Sequence, residues 1–353
     1  MRQSSRIFRA IRPHVALVAT ALAAQTRGPL AQPDHPGRWT PLEARLPQRG
    51  RSPLPGESPV MKAQLDSLVV ILRRNPALAE PRGFDIVGGE TVEQDELRDY
   101  HPGWQPVRGS VFFIPLLWYR PCDTCATARA DEGVGITIVV NGLSMLMWPD
   151  PGEQPNEGMG GCGGPMVFLA PREVARIGGF PLLSNGVLLI AARAVPPFLP
   201  VTRDEWIQAQ INQGRHESGC RGPDYRAVWW DSIWSAWTPK ERAMEAWDLP
   251  RGGREPPGPH QVLGVPGARG GRPWVRANPA LFDSTLARTT MQTMTLSIGF
   301  PGVDPRPLAR GAQPPLPCST PLPRTTVYVL DQLAIHEAAM CHLDWTALRA
   351  LLR

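Results

Sequence analysis

Proline and glycine recur too often along this chain for long uninterrupted helices to dominate it. There are 41 Pro and 34 Gly among 353 residues, and both residue types break or weaken regular backbone. A coiled coil or an all-helical bundle is therefore excluded. A folded core is still expected, because 42% of the residues are hydrophobic and 20% are charged, which is too apolar for a wholly disordered chain. The formal charge of +5 would favour nucleic acid or an anionic surface only if the basic residues were gathered on the folded part.

The excess is concentrated at the start instead. Arg2, Arg6, Arg9 and Arg12 stand within Met1 to Arg12 without an acid, and an almost wholly apolar run from Val15 to Ala24 follows, ending in Ala21-Leu22-Ala23-Ala24. Basic entry, apolar run and small-residue exit are the pattern of a secretory signal peptide, here 1–24, cleaved near Ala24. The expected location is secreted or periplasmic. Without the leader the chain keeps 33 basic against 32 acidic residues, and no dense Lys/Arg stripe remains, so nucleic acid is not an expected partner. No later run reaches the 18 or so apolar residues needed for a membrane span.

Residues 25–57 hold seven prolines (Pro29, Pro33, Pro36, Pro41, Pro47, Pro53 and Pro55) and no apolar periodicity, which reads as a disordered tether. Folding is expected over 58–353, as one large domain or as two lobes meeting near residue 200. Ser58 and Pro59 look like an N-cap and first helical position, and Val60, Met61, Leu65, Leu68, Val69 and Leu72 form one helical face. Strands are expected at Phe84 to Val87, Val111 to Trp118, Val187 to Ala192 and Thr326 to Leu330. Gly135 to Val140, Asn141-Gly142 and Leu143 to Trp148 read as an antiparallel hairpin around a type I′ turn. Thr202 with Glu205, and Thr238 with Glu241, are spaced as capping boxes at helix starts. Met294, Leu296 and Ile298 alternate with Thr293, Thr295 and Ser297 as in a half-buried strand. Asp344 caps a closing helix. The order is not a βαβ alternation, so the expected class is α+β, with a mixed or mainly antiparallel sheet, peripheral helices and long Pro/Gly-rich loops.

Six cysteines, Cys122, Cys125, Cys162, Cys220, Cys318 and Cys341, make disulfide support the first expectation in an exported chain, with fifteen complete pairings open. The strand Val111 to Trp118 followed by Cys122-Asp123-Thr124-Cys125 resembles the strand-then-CxxC arrangement of thioredoxin-like proteins, and Gly179-Phe180-Pro181 resembles their cis-proline loop. The resemblance implies Cys122 as nucleophile at a helix N-terminus, Cys125 as resolving thiol and Pro181 beside them. Gly160-Gly161-Cys162-Gly163-Gly164-Pro165 resembles the nucleophile loop of chymotrypsin-like hydrolases in a cysteine form, which implies Cys162 as nucleophile and needs a histidine base. Only His35 and His101 precede it in the mature chain.

His336 and His342 are six apart, whereas zinc-binding HExxH pairs are four apart on one helical face; no metal and no cofactor is expected. Trp230, Trp234 and Trp237 share one helical face within 224–237, which reads as a buried helix or as an aromatic platform for envelope glycans. The function expected first is a non-catalytic binding or structural role, with a glycan or protein partner. A thiol–disulfide oxidoreductase using Cys122 and Cys125 is the second reading, and a cysteine hydrolase using Cys162 the third.

Overall fold

The computed structural model describes residues 30–41, 56–94, 105–130, 133, 135–147, 159–161, 164–217, 227–249, 262–267, 271–298, 335–336 and 338–353. Along them run strands β1 (Leu30–Ala31) and β2 (Trp39–Pro41), helices α1 (Glu57–Arg73) and α2 (Pro76–Ala79), then strands β3 (Phe84–Gln94), β4 (Val107–Arg120), β5 (Ala128–Arg129) and β6 (Ile136–Val140). Next come β7 (Met159–Gly161), β8 (Gly164–Leu169), β9 (Glu173–Ile177), β10 (Phe180–Leu183), β11 (Val187–Ala191) and β12 (Phe198–Pro200). Helices α3 (Arg203–Glu217), α4 (Ala227–Ala236) and α5 (Pro239–Arg242), strands β13 (Trp274–Ala277) and β14 (Thr293–Ile298), and helix α6 (Trp345–Ala350) complete the order. The class is α+β, with sheets that are antiparallel except where β2 joins β3 in parallel.

The larger sheet runs β2-β3-β4-β6-β14-β11-β10-β9, with β1 and β5 both paired to the end of β4. Helix α1 lies on one face because Met61, Leu65, Leu68 and Leu72 recur at steps of four, three and four and are all buried. They pack with Ile138, Val140, Leu188, Ile190, Met294 and Leu296 from the central strands. Burying each such side chain stabilises by about 1.5–3 kcal/mol before entropy is counted. The helix begins one residue before Ser58, after Gly56 in the left-handed region, so Ser58 is not its cap. The C-terminal chain closes this core: Leu343 and Leu348 are buried in it, and Trp345 lies over the β9–β10 turn. Gly178 in that turn has φ +58°, and a Cβ there would stand 2.3 Å from the Trp345 ring.

The opposite face carries Val139, Val187 and Leu189, covered by Leu143, Met145, Leu146, Leu281 and Phe282. This overturns the hairpin expected around Asn141-Gly142. Asn141 does take the left-handed conformation, with φ 55°, but Ser144–Met147 is a 3-10 turn rather than a strand. Both edges of β6 are already occupied, by β4 and by β14, which leaves no edge for a returning strand. The run Leu143, Met145 and Leu146 instead plugs the core beneath the sheet.

Strand β14 also departs from the half-buried expectation. It is central, and Thr293, Thr295 and Ser297 are as buried as Met294 and Leu296. Thr295 Oγ1 donates within a group of acceptors that includes the Gly142 carbonyl at 3.2 Å.

The second sheet, β12-β13-β8-β7, supports a separate cluster of Val167, Val201, Trp206, Ile207, Trp230, Ile233 and Trp237 under α3 and α4. Within this sheet Phe168 and Phe198 pack edge to face, 5.6 Å between ring centroids, and Phe198 and Ala277 reach the Val139, Val187 and Leu189 cluster of the larger sheet. Both capping boxes form: Glu205 accepts from the Thr202 backbone at 2.7 Å, and Glu241 from the Thr238 backbone at 2.8 Å. Asp344 caps α6 through the Ala347 N–H at 2.8 Å. The strand expected at 326–330 lies outside the described residues, as do residues 1–24 and 42–55.

Residues 30–41 correct the reading of 25–57 as a disordered tether. They form a strap that adds β1 to the end of β4 and β2 to β3. It passes close to Gly83, which has φ +79° and where a Cβ would stand 2.9 Å from Pro33 Cα. Trp39 anchors the strap, donating from Nε1 to the Leu78 carbonyl at 2.8 Å and packing near Phe113.

Candidate functional site

The end of β4 carries the chemistry. Beyond Phe113, where pairing with β6 stops, the strand continues past Pro115 to Arg120 and is flanked by β1 on one edge and β5 on the other. A proline is tolerated there because the β6 side no longer needs its N–H. The β4–β5 connection carries Cys122 and Cys125, bridged to each other with a Cα–Cα distance of 5.0 Å. The Cys125 N–H donates to the Cys122 carbonyl at 3.1 Å, and Arg120 Nη1 donates to the Asp123 carbonyl at 3.4 Å. Residues 121–124 are exposed and Cys125 is half-buried.

Below this tip, a buried carboxylate ties three segments together. Asp85 is 1% exposed. Its Oδ1 accepts from the Arg38 N–H and from Trp118 Nε1, both at 3.1 Å, and its Oδ2 accepts from Arg129 Nη1 at 3.0 Å. The strap, β4 and β5 are thus joined at one side chain of β3. His35 stacks on Trp118 with 4.1 Å between centroids and 22° between planes, and its Nδ1–H donates to the Pro36 carbonyl at 3.0 Å.

Neither Asp85 nor Arg129 stood out in the sequence as a site residue, and His35 did so only as one of the two histidines that precede Cys162. His35 sat in a stretch that looked unstructured. The one available signal was Asp85 as a lone acid within Phe84-Asp85-Ile86-Val87, a run otherwise suited to complete burial.

The thioredoxin-like geometry does not form. Cys122 is followed by a turn and then by β5, so no helix N-terminus faces its sulfur. Pro181 lies in β10 opposite Arg176, and no cis peptide occurs among the described residues. Between β4 and β10 stand β6, β14 and β11, a separation of about 19 Å by strand spacing alone. The physical reason is that β4 continues into an antiparallel partner instead of crossing over through a helix. Cys162 and Cys220 lie outside the described residues, as do Cys318 and His101; the stretch around Cys162 is seen only as the flanking strands β7 and β8. Cys341 is disulfide-bonded.

The tryptophan face is core. Trp230 and Trp237 are buried, with Trp206 edge to face on Trp230 at 5.4 Å. Trp234 is half-buried, donates from Nε1 to Asp204, and has the Arg242 guanidinium 3.4 Å from its ring centroid. A sugar has no open ring triad to stack on there, so Trp230, Trp234 and Trp237 do not form the glycan platform. Trp229, on the neighbouring face, is 48% exposed.

Beside this cluster, burial pushes the Arg203 guanidinium below its ordinary value, against an opposing pull from Glu241. Glu241 is itself held below the ordinary carboxylate value, first by the Thr238 backbone N–H and then by its hydroxyl. These are helix-cap electrostatics. His336 is buried and His342 exposed.

No family model, curated protein or solved structure matches the chain. What the arrangement at the end of β4 offers chemically is a solvent-facing disulfide loop on a base whose buried carboxylate is fully engaged as an acceptor.

Proposed function

We propose that this chain is exported through a leader cleaved near Ala24 and serves in the periplasm or outside the cell as a non-catalytic binding or structural protein. The contact surface in this reading is the loop 121–124, and its partner is another protein or an envelope component. The observation that carries it is the Asp85 clamp, which joins strap, strand end and hairpin through three hydrogen bonds. A buried carboxylate so engaged holds a loop in one place, and functional loops are characteristically displayed on such rigid supports.

The oxidoreductase reading draws on the exposure of Cys122 but lacks a helix dipole to activate the thiolate. An insulin-reduction assay driven by a dithiol separates the two. The binding or structural reading expects no acceleration over the dithiol alone. Acceleration that Cys122→Ser abolishes would replace it with the oxidoreductase.

A further inference from the structure

The bridge at the hairpin tip is nearly redundant for the fold. Cysteines three apart in sequence close a very short loop, and chain-entropy stabilisation grows with loop length. The turn is already closed by the Cys125 N–H to the Cys122 carbonyl and by Arg120 to the Asp123 carbonyl. Its base is held independently by Asp85 and by the Ala130 N–H donating to the Leu117 carbonyl at 2.9 Å. Cys341, by contrast, sits one residue after buried Met340 in the C-terminal part of the core, and any of its available partners is at least 23 residues away.

A bridge that the fold does not need, with one exposed sulfur-bearing residue and one half-buried, is suited to exchange. We propose that Cys122–Cys125 is an exchangeable redox site whose substrates are small or peptide-borne thiols, and that Cys122 is the sulfur attacked.

The incoming thiolate forms a bond to Cys122 Sγ as the Cys122–Cys125 bond breaks. The electron pair leaves on Cys125, which takes a proton from water, and a mixed disulfide remains at Cys122. A second thiolate, from the same dithiol or from another monothiol, attacks the outer sulfur and expels Cys122, which is then protonated. The protein gains two electrons and two protons, and the external thiols become a disulfide. This exchange goes beyond the binding or structural reading and does not depend on it, since it requires no turnover of a substrate disulfide.

The test uses the full oxidised chain. Samples are equilibrated with graded dithiothreitol, quenched in acid, alkylated and mapped by peptide mass spectrometry, with thermal midpoints measured in parallel. Cys122 and Cys125 are expected to become alkylated at a dithiothreitol concentration about tenfold below that required for Cys341, with the midpoint moving by less than about 2 °C. A Cys341 bridge that opens first or together with the tip, or a midpoint that falls as the tip opens, overturns the proposal. The attacked sulfur is tested separately with oxidised glutathione. Cys125→Ser, which keeps the Cys122 thiol, is expected to form the mixed disulfide about tenfold faster than Cys122→Ser; equal or reversed rates overturn that assignment.

Discussion

Asp85 and Asn141 are buried side chains that keep every strong acceptor occupied, and each joins segments distant in sequence. Asn141 donates to the Val107 and Thr290 carbonyls and accepts from the Gln292 and Thr293 N–H groups, so one amide fastens β4, β6 and β14 where they end together. Asp85 does the same for strap, β4 and β5 with a charge. Asp85→Ala leaves the Arg38 N–H and the Trp118 indole without their acceptor, and should cost about 3 kcal/mol in urea unfolding. Arg129→Ala should cost less, because Arg129 is 37% exposed and Asp85 keeps its two other donors. Equal and small losses would show that the clamp is not structural. Glu241 supplies a pH signature. Its folded value lies below the ordinary 4.5, so its cap contribution is complete above that pH and fades as pH falls through the lower folded value. Glu241→Gln should therefore narrow the stability difference between neutral and acid solution, read as urea midpoints from about pH 7 to about pH 3. Both capping boxes were legible in the sequence because their interactions span only three residues. Asp85 and Asn141 were not, because their partners lie tens to more than a hundred residues away.

Among the elements, α1 followed from local periodicity and the capped helix starts from residue spacing, whereas β3 and β4 extend beyond the expected Phe84 to Val87 and Val111 to Trp118. The hairpin at Asn141 did not form, since Asn141 alone takes the positive φ that its turn needs at two positions, and the neighbouring edge was already taken by β14, a strand more than 150 residues later. The strap was missed for a related reason: its ring contacts come singly, as Trp39 near Phe113 and His35 on Trp118, without a repeat that periodicity can detect. Helix α4 separates core from surface within one residue step. Trp230→Ala should destabilise by about 3–5 kcal/mol, whereas Trp229→Ala should stay within about 0.5 kcal/mol, measured by chemical denaturation. A neutral Trp230→Ala would mean that this face is not the core of the second sheet.

At the scale of the molecule, two sheets with separate apolar clusters meet where Phe198 and Ala277 of the second pack against the Val139, Val187 and Leu189 cluster of the first, and the first of them ends in a clamped, disulfide-tipped hairpin. The order of elements anticipated the α+β class, and the cysteine count the use of disulfides. It could not anticipate which cysteines pair, because pairing depends on where antiparallel partners bring the chain back together. The Cys122–Cys125 bridge follows from β5 returning along β4, and this local closure is what allows the loop to be displayed without a helix behind it. The account therefore turns on the state of two sulfurs in the mature protein. Peptide mapping under non-reducing conditions, on protein collected from the export compartment, tests this directly. The account predicts a mature chain beginning at Gln25, Cys122 and Cys125 joined within a single peptide, and Cys341 joined to Cys162, Cys220 or Cys318. A retained leader, or either hairpin cysteine free or joined to a distant one, would contradict it.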